Sequence, residues 1–325
     1  MKLPLLVVAG PTGVGKTAAT VALGARVSLE VVSADSRQVY RFMDVATGKP
    51  TPAERAAVTH HLIDVVDPDD RYQAARFRHD AVAAIAEIHR RGRLPVVVGG
   101  TGLYIRGLLR GLDPAPPADP EFRRELAGVA ARDGRAALHA RLAAAAPAAA
   151  DRLHPNDQVR VMRALEKLHG SDMAGTDMAG TDMAGTAPWP TNPSWQQVAD
   201  DYDLVYVGLT MARDALSARL VERAAAMAKA GLAEEVEALL ARGYDAGLPA
   251  LQGIGYREFV RVVRGELSVA TAVALMQRET VRYAKRQGTW FAREPGVEWL
   301  EVTTSMDADA IAAHIERRLK EGRRP

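Results

Sequence analysis

Hydrophobic positions along this chain follow two different periods. A continuous apolar run of strand length occurs at Leu5-Leu6-Val7-Val8-Ala9, and largely apolar ones at Leu29-Glu30-Val31-Val32-Ser33, Leu94-Pro95-Val96-Val97-Val98 and Asp203–Leu209. Each reads as a buried strand. Between them lie segments with helical spacing: 18–26, an amphipathic stretch over 74–91, then 213–230, 232–242, 256–264 and a long one over 268–293. Val297–Val302 reads as a short last strand and Asp307–Lys320 as a terminal amphipathic helix. Strands alternating with helices predict an α/β fold built on a parallel sheet flanked by helices.

The pattern changes after residue 112. Asp113-Pro114-Ala115-Pro116-Pro117-Ala118-Asp119-Pro120 is a Pro-rich hinge. From 121 to 170 no strand-like run occurs, and several short helices are expected, with nine Lys/Arg against six Asp/Glu. Asp172-Met173-Ala174-Gly175-Thr176 then recurs at 177–181 and 182–186. A repeated pentapeptide of this composition is low complexity and predicts a flexible loop over 171–186 without catalytic duty. A Ca²⁺-binding repeat, with its recurring Asp, is the lesser alternative. The expected division is an α/β core over 1–113 and 201–325, interrupted by an all-helical insertion over 114–200.

Composition narrows the class. The chain has 325 residues, 48% hydrophobic and 25% charged, enough apolar content for a sizeable core. A net charge of +2 means that a nucleic-acid partner would need a local basic surface. With no cysteine there is no disulfide, thiolate zinc site or thiol nucleophile. No apolar stretch approaches the length of a bilayer span. The first ten residues are too short an apolar run for a signal segment. A cytoplasmic protein without a membrane partner is the expectation.

The densest chemistry lies at Gly10-Pro11-Thr12-Gly13-Val14-Gly15-Lys16-Thr17. It fits G-x-x-x-x-G-K-[ST], between a predicted strand and a predicted helix, as a phosphate-cradling P-loop requires. The glycines let backbone N–H groups turn on an anion, and the helix N-terminus adds partial positive charge. Lys16 would reach the outer phosphate oxygens, and the Thr17 hydroxyl would take one position on Mg²⁺.

Two further candidates follow strand ends, where ligands of open α/β sheets sit. Asp35 is as well suited to a general base as to an Asx turn or helix N-cap. Thr101 follows Gly99-Gly100. Its hydroxyl and N–H can donate to a developing oxyanion, or it can cap the helix expected from Leu103, or both. Nucleotide-hydrolysing P-loop proteins usually carry an Asp for Mg²⁺ after an apolar strand. Here Val96-Val97-Val98 runs into two glycines, which points to a bound diphosphate that is a leaving group. Arg278, Arg282, Lys285 and Arg286 share a helix face, as do Arg160, Arg163 and Lys167. A phosphate-contacting stripe and a solvated face both fit this spacing, the solvated face better. His60 and His61 have no partner at metal spacing and read as structural.

Taken in order, these stretches resemble the tRNA isopentenyltransferase family over nearly the whole chain. The resemblance rests on the P-loop; on Ser33-Ala34-Asp35-Ser36-Arg37-Gln38-Val39-Tyr40 with Thr47-Gly48-Lys49-Pro50; and on His61-Leu62-Ile63-Asp64. It continues through Val98-Gly99-Gly100-Thr101-Gly102-Leu103-Tyr104, His154-Pro155-Asn156-Asp157, Gly253-Ile254-Gly255-Tyr256 and Lys285-Arg286-Gln287-Gly288-Thr289-Trp290. It implies a P-loop NTPase-like core that transfers a dimethylallyl group from dimethylallyl diphosphate to N6 of the adenosine 3′ of the anticodon, position 37, in tRNAs reading codons that begin with U. By this resemblance Asp35 is the base and Thr101 contacts the bridging oxygen and the tRNA. Gly10, Pro11, Thr12, Gly13, Val14, Gly15, Lys16 and Thr17, with Arg219, hold the diphosphate, and Thr17 holds Mg²⁺. Asp35, Ser36, Arg37 and Gln38, Thr101, Arg123, and Val159, Arg160, Val161, Met162 and Arg163 contact tRNA, and the helical insertion clamps the anticodon stem-loop. A monomer is expected. The rivals are a relative that prenylates free AMP, ADP or ATP, a P-loop small-molecule kinase, and a non-catalytic RNA-binding protein. The repeat is a departure from the family pattern, which leaves the insertion helix by a short loop.

Overall fold

A computed structural model of the chain describes residues 2–112, 119–174 and 202–322. In chain order the first part comprises β1 (Leu3–Ala9), α1 (Lys16–Gly24), β2 (Leu29–Ser33), α2 (Pro52–Ala57), β3 (His60–His61), α3 (Ala74–Arg90), β4 (Leu94–Gly99) and α4 (Gly102–Arg110). Four helices follow: α5 (Pro120–Asp133), α6 (Arg135–Ala145), α7 (Pro147–Ala150) and α8 (Gln158–Ala174). The chain then adds β5 (Tyr202–Thr210), α9 (Arg213–Lys229), α10 (Leu232–Ala241), α11 (Tyr256–Val263), α12 (Val269–Phe291), β6 (Glu298–Glu301) and α13 (Ala308–Gly322).

The strands form one six-stranded sheet in the order β3-β2-β4-β1-β5-β6, and every pairing is parallel. β1 lies between β4 and β5, with Val7 opposite both Val97 and Tyr206. Its alternate residues enter two separate cores. Leu5, Val7 and Ala9 pack with Phe77, Ile85 and Ile88 of α3. Leu6 and Val8 pack on the other face with Leu23 of α1 and Ile311 and Ile315 of α13. Burial on both faces is why the strands read as largely apolar runs. The short helix α2 was not anticipated. Its signal was present: Thr51 accepts from Glu54 N, Glu54 reaches back to Thr51 N, and Pro52 opens the helix.

The chain divides into two compact units, Met1–Gly111 with Gln196–Pro325, and Leu112–Trp195. The second has its own core, in which Phe122 and Leu126 of α5 meet Leu138 and Leu142 of α6 and Val161 and Leu165 of α8. α8 continues to Ala174, so the first residues of the predicted loop are helical. The rest of the repeat, and residues 113–118 of the Pro-rich hinge, lie outside the described residues. No helix among the described residues is long and apolar enough to cross a membrane.

One buried charge ties the sheet to its flank. Glu30 of β2 accepts from Arg91 Nε at 2.9 Å, from Arg91 Nη2 at 2.7 Å and from Arg93 Nη1 at 3.3 Å, and lies 2.6 Å from His61 Nε2. This pairing gives His61 its structural role. Burial pushes the Glu30 carboxyl up, but the Arg91 and His61 hydrogen bonds outweigh it and hold the group below its ordinary value. Stability from such a group is complete above the unfolded value and is lost as pH falls through the folded one. Glu30→Gln should therefore cost about 1–3 kcal/mol at neutral pH in urea unfolding. The gap to the wild type should close as the pH drops below 4.5.

Candidate active site

A parallel sheet delivers the loops after β1, β2 and β4 to one rim. They open on a cavity of about 820 Å³ whose lining includes Gly13, Lys16, Thr17, Asp35, Gly100 and Arg223. This volume lies within the range of small-molecule sites.

The loop after β1 forms the cup. Gly10 has a φ of 147°, and a Cβ there would run into the Leu209 carbonyl of the neighbouring strand. Gly13 and Gly15 also have positive φ, at 80° and 105°. Among the described residues no protein acceptor claims the N–H groups of Gly13, Val14 or Gly15. They lead directly into the N-terminus of α1. Lys16 Nζ donates to Gly10 O at 2.9 Å and to Pro11 O at 2.8 Å, which holds the ammonium over the loop. Burial lowers this lysine to about 8, with Asp35 opposing the shift and Arg223 adding to it. Arg223 of α9 donates Nη1 to Thr12 Oγ1 at 3.4 Å, and burial lowers its guanidinium too. Arg219, one turn earlier, is more exposed and also lines the cavity. The arginine held closest to the cup is thus Arg223, which sequence reasoning missed although it lies at i+4 from Arg219.

Asp35 lines the same cavity and interacts electrostatically with Lys16. Its Oδ1 accepts from Arg37 N at 2.8 Å and Gln38 N at 3.3 Å. The Asx turn is therefore real, and it fixes the carboxylate rather than removing it from the site. Thr101 occupies the N-cap position of α4, yet its side chain makes no capping bond. Its Oγ1 instead accepts from Ser36 N at 3.0 Å. Its own N–H donates to Ala34 O at 3.2 Å and is unavailable to an oxyanion, which corrects that part of the expectation. Tyr283 of α12 also lines this cavity, its phenol pushed up to about 12 by burial and by Asp35.

The other expected tRNA contacts divide. Gln38 is largely spent inside the protein, donating Nε2 to Gly48 O at 3.1 Å and accepting from Ser33 Oγ at 3.0 Å. Arg37 donates to Pro249 O at 2.8 Å. In the helical unit, Arg123 and Arg163 both bond to Glu166 and remain partly exposed. Burial pushes the Glu166 carboxyl up, but these two arginines outweigh it and hold it down. Arg160 pairs with Asp157 at 3.6 Å. Val159 is 79% exposed, whereas the Val161 side chain has no exposed surface and cannot meet a partner. Met162 is partly buried against the same core. On α12, Arg278 and Arg282 gather round Glu279, while Arg286 turns to the cavity. Arg278 and Arg282 are thus exposed ion-pair members, in keeping with a solvated face, while Arg286 lies at the cavity.

Magnesium fits this chemistry in one respect. Thr17 lines the cavity beside the cup, and its hydroxyl is a hard oxygen of the kind Mg²⁺ accepts, with the remaining positions left to phosphate and water.

The fold and cup define a P-loop α/β protein whose phosphate loop opens beside a carboxylate. The comparisons give that class a family. A family model described as IPP transferase matches residues 38–294, and one described as isopentenyl transferase matches residues 3–68. The tRNA dimethylallyltransferase of Anaeromyxobacter dehalogenans (strain 2CP-C) is 48% identical over 314 residues, covering 97% of this chain and 99% of that protein. The crystal structure of the full-length tRNA isopentenylpyrophosphate transferase from Bacillus halodurans aligns with a TM-score of 0.69 and 37% identity, over 99% of this chain and 98% of that one. A eukaryotic dimethylallyltransferase acting on tRNA aligns with a TM-score of 0.76 and 25% identity, over 99% and 80%. The chain belongs to the IPP transferase family of prenyltransferases.

The lowered Lys16 sets a pH limit on anion binding. The free protein carries the ammonium charge below about 8 and loses it above. Affinity for inorganic diphosphate, measured by calorimetry, should therefore fall as pH rises through about 8. Lys16→Met should weaken it roughly 10- to 100-fold at pH 7 and flatten that limb.

Proposed function

We propose that this protein transfers the dimethylallyl group of dimethylallyl diphosphate to N6 of the adenosine at position 37, 3′ of the anticodon, in tRNAs that read codons beginning with U. The observation that carries the reading is the shared cavity: a carboxylate, Asp35, lies within electrostatic reach of the cup lysine, Lys16. The C1–O bond of the donor breaks, and the diphosphate keeps its electron pair on the cup. The N6 lone pair forms the new C–N bond, and the N6 proton passes to Asp35. The N–H groups from Gly13 onward, Lys16 and Arg223 stabilise the departing charge. The Thr17 hydroxyl would hold Mg²⁺, which would supply neutralisation of part of that charge. The target adenine has to leave the anticodon stack to reach such a cavity. The helical unit, with Arg123, Arg160 and Arg163 exposed in part, grips the anticodon stem-loop. The protein works as a cytoplasmic monomer.

Prenylation of free adenylate is the other reading of the same chemistry, and the relatives named for tRNA do not support it. Incubation with labelled donor and either AMP or unmodified tRNA separates the two: label in tRNA is expected, and label in AMP with untouched tRNA would reverse the choice. No γ-phosphate should move from ATP, as a kinase would require.

Asp35→Asn tests the base. The amide keeps an Oδ1 acceptor for Arg37 N and Gln38 N, so the loop holds its shape. Single-turnover transfer should drop on the order of 10²- to 10⁴-fold, with tRNA affinity in a filter assay little changed. Undiminished transfer would remove Asp35 from that role.

A further inference from the structure

Gln287 is a buried polar residue on α12, one helical turn after Tyr283. Both ends of its amide are used. Oε1 accepts the Thr12 N–H at 2.9 Å, within the phosphate loop. Nε2 donates to the Gly100 carbonyl at 2.8 Å, in the loop after β4. Thr12 N–H can only donate and Gly100 O can only accept, so one orientation of the amide satisfies both.

The path continues beyond Gly100. Thr101 is its neighbour, the Thr101 hydroxyl receives Ser36 N–H, and Ser36 adjoins Asp35. One amide thus connects the cup to the loop that braces the carboxylate. Gly100 leaves room for it, since a Cβ there would strike the Gln287 amide nitrogen. The same bond turns the Thr12 N–H away from the anion and commits the cup to the N–H groups that follow.

We propose that Gln287 is a positioning residue for the transfer step: it fixes the separation between the departing diphosphate and the proton acceptor. The inference rests on the proposed prenyl transfer. In-line transfer needs its reacting atoms aligned at near contact, and a displacement of about 1 Å costs roughly 100-fold. Gln287 therefore acts on turnover and not on the affinity of the cup for diphosphate.

Gln287→Met and Gln287→Glu test this in the full chain. With Gln287→Met, kcat at saturating donor and tRNA should fall about 30- to 100-fold, while the Kd for inorganic diphosphate stays within about threefold. Gln287→Glu adds a signature that loss of packing would not produce. Its protonated acid can accept from Thr12 N–H and donate its O–H to Gly100 O, whereas its carboxylate can only accept. The ratio of its kcat to that of the wild type should climb as pH falls; its carboxylate would also repel a diphosphate, so affinity is compared in Gln287→Met alone. A Gln287→Glu kcat ratio independent of pH, or a turnover loss in Gln287→Met matched by an equal loss of diphosphate affinity, would overturn the inference. A crystal structure of Gln287→Met gives a reading free of activity: Thr12 should shift relative to Gly100 and Thr101. If the wild type modified no RNA, the proposed function would fall, and unmoved loops in that crystal would still overturn the role of Gln287.

Discussion

A half-buried lysine ammonium in the phosphate loop is the constraint around which the rest of this protein is arranged. Lys16 is lowered to about 8 because burial costs it hydration. Two loop carbonyls, Gly10 O and Pro11 O, and the charge of Asp35 offset only part of that cost. Arg223 adds a second desolvated cation to the same space. A cup in this condition is under-compensated, and an anion of high charge density is what completes it. On the proposed reading, a diphosphate bound there would restore what burial costs these cations, and the stabilisation would grow as a C–O bond breaks and negative charge gathers on the leaving group.

Such a cup cannot be assembled locally. Lys16 comes from the start of α1, Asp35 from beyond β2, Thr101 from beyond β4, Arg223 from α9 and Tyr283 and Gln287 from α12. The parallel sheet solves the assembly by bringing three loop ends to one rim, and its two apolar faces fix the register at which they arrive. Helices α9 and α12 then close the rim from outside. Hydrogen bonds cross between these pieces at Ser36 with Thr101, Thr12 with Gln287 and Gln287 with Gly100. Each satisfies a backbone group that the open loops would otherwise leave unpaired in a half-buried place.

The legible parts of this molecule are those where one local rule suffices. Central strands buried on both faces have largely apolar runs, and the P-loop carries its own spacing, so both were readable along the chain. The Asx turn at Asp35 and the general base were weighed as alternatives, but one oxygen serves the turn while the residue still faces the cavity. Sequence reading could not choose because the two roles do not compete. Arg223, Tyr283 and Gln287 were not assigned, since each is defined by what folds against it. Their helical spacing was visible in Arg219 with Arg223 and Tyr283 with Gln287, but spacing alone does not say which face meets the cup. Val161 failed for the opposite reason: a contact stretch carried over whole ignores that a helix must bury one residue in three or four.

Gly99 and Gly100, at the end of β4, explain why no metal-binding acid stands there. Phosphate-loop hydrolases use an acid near this point for their metal, and here none fits. A Cβ at Gly99 would meet the Ala34 carbonyl and side chain. The Ala34 carbonyl in turn accepts Thr101 N–H, and Ala34 N donates to Val98 O at 2.7 Å. The loops after β2 and β4 are therefore pressed backbone to backbone, with no volume for a metal-binding carboxylate between them. That close approach seats Thr101 against Ser36, one residue from Asp35. Loss of the metal acid and gain of a braced carboxylate are thus the same backbone event. On the proposed reading, charge on the diphosphate is left to the cup, and the braced carboxylate is left for proton removal. An arrangement of this kind favours displacing a diphosphate from carbon over hydrolysing it.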